Sequence, residues 1–105
     1  MYQLRIYTLR TVEALEQYAT VHWARHIPSL RSFGVTTHGI WTQHDTGAHR
    51  LLALISYPDG ADPTEVTTAY MASPGFAADM VGFDVGDIVR VENLLLNPSE
   101  ASPLT

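Results

Sequence analysis

Apolar and polar residues alternate from Tyr2 to Leu9, with Leu4 and Ile6 facing one way and Arg5 and Tyr7 the other, which predicts a β-strand. The period then changes. From Thr11 to Phe33 a stripe of Leu15, Tyr18, Ala19, His22, Trp23, His26, Leu30 and Phe33 recurs at helical spacing, opposite Glu13, Gln17, Thr20, Ala24 and Arg31. Thr11 is a suitable N-cap, and Glu13 and Glu16 sit near the positive end of the helix dipole. Pro28 removes a backbone donor and is expected to weaken or kink the last turns. Gly34 then ends the helix from the C′ position.

The alternating period returns from Val35 to His44 and again from His49 to Tyr57, with Asp45-Thr46-Gly47 as the turn of an antiparallel hairpin. The second arm, Leu51-Leu52-Ala53-Leu54-Ile55, is apolar on both faces and so needs cover on both. Thr64 to Ala72 reads as a short helix, Ser73-Pro74-Gly75 interrupts it, and Phe76 to Val81 supplies a further helical turn. A fourth strand follows from Asp87 to Leu96, and the Pro- and Ser-rich stretch from Asn97 is expected to be extended. The order β-α-β-β-α-β predicts an α+β, ferredoxin-like domain over residues 1–98 with a four-stranded antiparallel sheet, and a tail over 99–105. Covering the second face of the third strand predicts a two-fold homodimer, sheet against sheet, as a dimeric α+β barrel.

Composition narrows the function. The chain of 105 residues is one domain long and carries a formal charge of −5, from eleven acids against six bases that are all arginine. No basic run or stripe is present, which argues against nucleic acid and anionic membrane surfaces as partners. The lack of lysine suits a GC-rich bacterial genome. There is no cysteine, so disulfides, thiolate nucleophiles and zinc–thiolate sites are excluded. No apolar run approaches the roughly 18 residues of a membrane span, and the first residues form a strand pattern instead of a signal peptide. A soluble cytoplasmic protein is the expectation.

Two imidazoles stand where the first helix should be apolar. His22 and His26 are four residues apart and both aimed inward, so they either close hydrogen bonds in the core or line a pocket. As pocket residues they would share the roles of general base and general acid. A metal at this pair would need a third ligand, such as Glu92, His38 or His44; His-Glu-x-x-His is absent, and no metal or cofactor is expected. Arg5 and Tyr7 would hold a ligand carboxylate or phenolate, unless Arg5 pairs with Glu92 on a neighbouring strand. Trp23 and Trp41 are candidate aromatic walls of the same site, or core residues. Gly-x-Ser-x-Gly, a P-loop and a dinucleotide glycine fingerprint are all missing.

Several stretches in order resemble the NIPSNAP family of the dimeric α+β-barrel superfamily. They are Tyr2-Gln3-Leu4-Arg5-Ile6-Tyr7-Thr8-Leu9, then Trp23, His26, Pro28 and Gly34, then Gly39 and Trp41. Ser73-Pro74-Gly75-Phe76, Glu92-Asn93-Leu94-Leu95-Leu96-Asn97-Pro98 and Ser102-Pro103-Leu104 continue the resemblance. Thr11-Val12 departs from it, since many relatives carry Pro-Gly before the helix. The resemblance implies a ferredoxin-like subunit, a homodimer and a cleft between helices and sheet, while superfamily relatives span cofactor-free oxygenases, isomerases, cyclases, dehydratases and haem-degrading proteins. The expected function is a homodimer binding a hydrophobic, oxygenated small molecule, with His22 and His26 as an acid–base pair for isomerisation, cyclisation, dehydration or oxygenation. The alternative is a non-catalytic dimer that binds a ligand or another protein.

Overall fold

The computed structural model describes residues 1–43 and 47–105. Its strands are β1 (Tyr2–Leu9), β2 (Thr36–Thr42), β3 (His49–Ser56) and β4 (Ile88–Leu96). They form one sheet in the order β2-β3-β1-β4, antiparallel between every pair of neighbours. This is the α+β, ferredoxin-like arrangement the sequence pattern predicts. His44, the expected end of the second strand, and Asp45 and Thr46 of the expected hairpin turn lie outside the described residues.

The first helical segment has three parts: α1 (Val12–Gln17), a π turn (Tyr18–His22) and α2 (Trp23–Arg31). Thr11 caps it as predicted, its hydroxyl accepting the Ala14 N–H at 3.0 Å. At the π turn the Trp23 N–H reaches back five residues to the Tyr18 carbonyl. The reason lies in the spacing of the inward residues. Tyr18, His22, His26 and Leu30 are separated by fours, and each four overshoots a regular α turn by about 40°. Taking up an extra residue in one wide turn removes part of that drift and keeps the stripe on the sheet. Pro28 does not end the helix, which continues through it to Arg31. Termination comes at Gly34, with φ +81°, where Val35 N–H bonds to Leu30 O and Gly34 N–H to Arg31 O.

Two short helices complete the layer over the sheet, α3 (Pro63–Met71) and α4 (Pro74–Asp79). Asp62 caps the first through the Thr64 and Glu65 N–H groups, and Ser73 caps the second through Phe76 N–H. Each has proline in its first turn, where the missing N–H is unneeded. α4 therefore begins before the expected Phe76, at the proline the cap selects.

The two sheet faces differ. Gln3, Arg5, Tyr7 and Leu9 of β1, level with Ile55, Ala53 and Leu51 of β3, look toward the helices, and the β3 trio is fully buried. Leu4, Ile6, Leu52, Leu54, Leu94 and Leu96 look the other way, with the two β4 leucines exposed. The tail is not extended as expected. It turns at Ser99, where Ser102 N–H returns to the Ser99 carbonyl, and the last carbonyl accepts the Tyr2 hydroxyl at 2.8 Å. Among the described residues no helix is long and apolar enough to cross a membrane.

Candidate functional site

Because α3 and α4 are short, the helix layer does not close over β1 and β4. A cavity of about 550 Å³ remains, within the ~300–1,000 Å³ range of small-molecule sites. Gln3, Arg5 and Tyr7 form its floor, Trp23, His26 and Leu30 of α2 one wall, and Tyr70 and Phe76 another. Exposed Met71, Val85 and Val91 make an apolar rim.

A chain of hydrogen bonds ends at this cavity. The Tyr70 hydroxyl donates to Asp79 Oδ2 at 2.5 Å and lies 2.5 Å from His26 Nδ1. Asp79 Oδ2 is itself 3.4 Å from the same nitrogen. All three residues are buried, Asp79 at 6% exposure and His26 at 3%. Since the tyrosine has one hydrogen and gives it to the carboxylate, the hydrogen between Tyr70 and His26 belongs to the ring. Nδ1 is then the protonated nitrogen, and Nε2 keeps the free lone pair. Burial pushes His26 down to about 4, with Asp79 pulling it partly back and His22 and Arg5 pushing the same way as burial. At pH 7 the ring is neutral. Burial and the bond to Asp79 raise the Tyr70 phenol above the usual tyrosine value, so it stays a hydroxyl.

His22 holds the carboxylate's backbone. It is fully buried, its Nδ1 is 2.8 Å from the Asp79 carbonyl, and its Nε2 accepts from the Gln17 amide at 3.1 Å. Gln17 also donates to Gly82 O, and Arg25 donates to the Asp79 and Val81 carbonyls. The C-terminal end of α4 is thus clamped by three side chains from the first helical segment. That clamp fixes where the Asp79 carboxylate points.

Arg5 lies among neutral groups. Nε donates to Gln3 Oε1 at 2.9 Å, and Nη2 to the Tyr57 hydroxyl at 3.0 Å and Thr67 Oγ1 at 2.8 Å. Nη1 makes only a long contact to the Tyr7 hydroxyl, 3.4 Å. Burial disfavours the guanidinium charge, but the oxygens of Tyr7 and Tyr57 outweigh it and leave the pKa above the usual arginine value.

Four of the six residues singled out by sequence, Arg5, Tyr7, Trp23 and His26, meet at the cavity. The other two do not. Both nitrogens of His22 are occupied behind the wall. Trp41, 54% exposed, stands on the opposite sheet face level with Leu52. A register shift between Thr37 and Gly39 turns it there, since one extra residue inverts the alternation. Its indole lies over Gly39, where a Cβ would collide with the ring. The alternative Arg5–Glu92 pair does not form, because Glu92 is level with Ile6 on the outer face and bonds Arg90 at 2.7 Å. His38 faces outward too, bonded to Ser56, so neither it nor Glu92 approaches the His22–His26 pair. No group of three metal-ligand side chains occurs among the described residues. Tyr70 and Asp79 escaped the sequence reading. The signal was Asp79, the sole charge between Tyr70 and Phe83.

The fold and cavity define a ferredoxin-like α+β domain with a buried histidine at a helix–sheet cleft. The NIPSNAP family model matches residues 2–103, and the chain belongs to that family. A NIPSNAP family protein of unknown function from Agrobacterium tumefaciens is similar in structure, with TM-score 0.79 and 22% identity over 99% of this chain and 92% of that one. An uncharacterized NIPSNAP-like domain protein from Burkholderia xenovorans gives TM-score 0.78 and 22% identity, covering 97% and 87%. A second NIPSNAP family protein from Agrobacterium tumefaciens gives 0.75 and 20%, covering 99% and 97%. No curated protein matches.

Proposed function

We propose that this chain binds a hydrophobic, oxygenated small molecule in the helix–sheet cavity and moves a proton on it through His26. The observation that carries the reading is the Asp79–Tyr70–His26 chain, which engages Nδ1 and leaves Nε2 as the ring's free acceptor. Nε2 takes a proton from the ligand, the imidazolium is countered by Asp79 through the Tyr70 hydroxyl, and the proton returns at another atom. His22 here positions Asp79 and exchanges no proton with the ligand. Deuterium exchange into enolisable hydrophobic ketones such as phenylacetone tests the reading, because proton abstraction shows on a surrogate as well as on the natural substrate. Wild-type protein should accelerate exchange ~10²-fold or more over His26→Asn. Equal exchange by wild type and His26→Asn would remove the proposed role.

The outer sheet face supports a second element of the proposal, a homodimer. Trp41, Leu94 and Leu96 are exposed there beside half-buried Leu4, Ile6, Leu52 and Leu54. A second copy laid face to face would bury this patch in a two-fold arrangement. Sedimentation should give twice the 11.6 kDa chain mass, and Leu94→Glu should halve it. A monomer at micromolar wild-type protein would refute the pairing.

A further inference from the structure

The cavity holds one permanent charge and nothing to balance it. Among its lining residues Arg5 is the sole Arg, Lys, Asp or Glu. No carboxylate of the described residues forms an ion pair with its guanidinium, whose partners are the neutral Gln3, Tyr7, Tyr57 and Thr67. The Tyr57 hydroxyl in turn donates to Gln3 Oε1 at 2.7 Å, which locks the group of acceptors together. Buried and half-buried charges are ordinarily paired, because desolvation is costly without a counter-charge. An arginine oriented by neutral acceptors and left without its anion has the form of a binding group.

The geometry of the fork says which side is open. Nε and Nη2 are fully engaged, whereas Nη1 has only the 3.4 Å contact to Tyr7. An incoming acceptor therefore meets Nη1 with the Tyr7 hydroxyl beside it. Trp23, Phe76 and Met80 give the cavity aromatic and apolar walls, and its polar lining residues other than Arg5, among them Thr64, Thr68 and Asn93, carry no charge. A second anionic group on the ligand would find no second cationic side chain among the lining residues.

We infer that the ligand class of this cavity is a hydrophobic monocarboxylate, its carboxylate held by Arg5 Nη1 and the Tyr7 hydroxyl and its apolar body lying against Trp23 and Phe76. The inference rests on the cavity reading proposed above and names the ligand for that same site. Arginine suits a carboxylate through directed, charge-assisted hydrogen bonds, and a phenol would arrive neutral at pH 7. Binding also cancels the positive field that helps hold His26 down, so the bound anion makes Nε2 a stronger base.

The test compares 4-phenylbutanoate with 4-phenylbutanamide by calorimetric titration of the full chain. The acid should bind about tenfold to a hundredfold more tightly than the amide, the span of a hydrogen bond to a charged group. Arg5→Gln should abolish the preference while leaving amide binding in place, and Arg5→Lys should keep part of it. In ¹⁵N-edited spectra the indole shift should fall on Trp23 and spare Trp41. Should Arg5→Gln fail to fold, the acid–amide ratio on wild-type protein still decides. Equal affinities, or a response at Trp41 alone, would overturn the inference. Ketone exchange through His26 with no preference for acids would overturn it and leave the acid–base reading standing; no binding by either probe, with no ketone exchange, would overturn both.

Discussion

Asp79→Ala should convert the cavity nitrogen of His26 from an acceptor into a donor. In the wild-type chain the Tyr70 hydrogen goes to Asp79 Oδ2, so Nδ1 supplies the hydrogen between the ring and the phenol. Without the carboxylate, the phenol turns its hydrogen to Nδ1 and the remaining ring proton moves to Nε2. The network heals by that rotation, which limits the stability loss to about 1–3 kcal/mol despite the burial of every partner. The functional loss is much larger. A ring presenting N–H toward the cavity no longer accepts a proton, and proton transfer should fall by ~10²–10⁴. Tyr70→Phe separates the two effects, because Asp79 Oδ2 is already 3.4 Å from Nδ1 and takes the hydrogen directly. That variant should keep the wild-type tautomer. Histidine ¹⁵N shifts read the tautomer in each variant, and an unchanged His26 signal in Asp79→Ala would contradict the assignment.

The second large effect is a loss of stability in mild acid. His26 sits at about 4 in the folded chain against 6.5 for a free imidazole. Between those values the unfolded chain binds a proton that the folded chain refuses. Stability is therefore intact above pH 6.5, falls as pH drops through the window, and levels off below about 4. The difference of about 2.5 pH units corresponds to roughly 3 kcal/mol, an upper figure for one site. For a domain of this size that is a large share of total stability. Urea unfolding of wild type and His26→Gln at several pH values isolates the contribution, since the variant loses stability at neutrality but has a flatter slope between pH 6.5 and 4. Parallel slopes would show that His26 titrates normally.

Much of the fold was legible because it depends on period. The change from alternation to helical spacing at Thr11, the glycine at position 34 and the doubly apolar β3 are local signals that packing respects. The first helix also announced its inward histidines correctly. What it did not announce was the division of labour between them. His22 meets the end of α4 and His26 meets the cavity, a distinction set by where α4 packs. Trp41 was lost to a single extra residue at His38, whose one signal, the isolated Gly39 inside the strand, was not read as a bulge. Tyr70 and Asp79 lie on different short helices nine residues apart, and their contact needs the turn at Ser73-Pro74 to be built first. Arg5 was read as a ligand hook or half of an ion pair, and only the strand register shows Glu92 on the other face.

The proton transfer proposed for the cavity depends on His26 being neutral at pH 7, protonated on Nδ1 and open at Nε2. Long-range ¹H–¹⁵N correlation of the histidine rings, followed from neutrality down to about pH 3, tests this directly. The expected His26 ring carries its proton on Nδ1 and titrates near pH 4. A proton on Nε2 at pH 7, or a titration above pH 6.5, would contradict it.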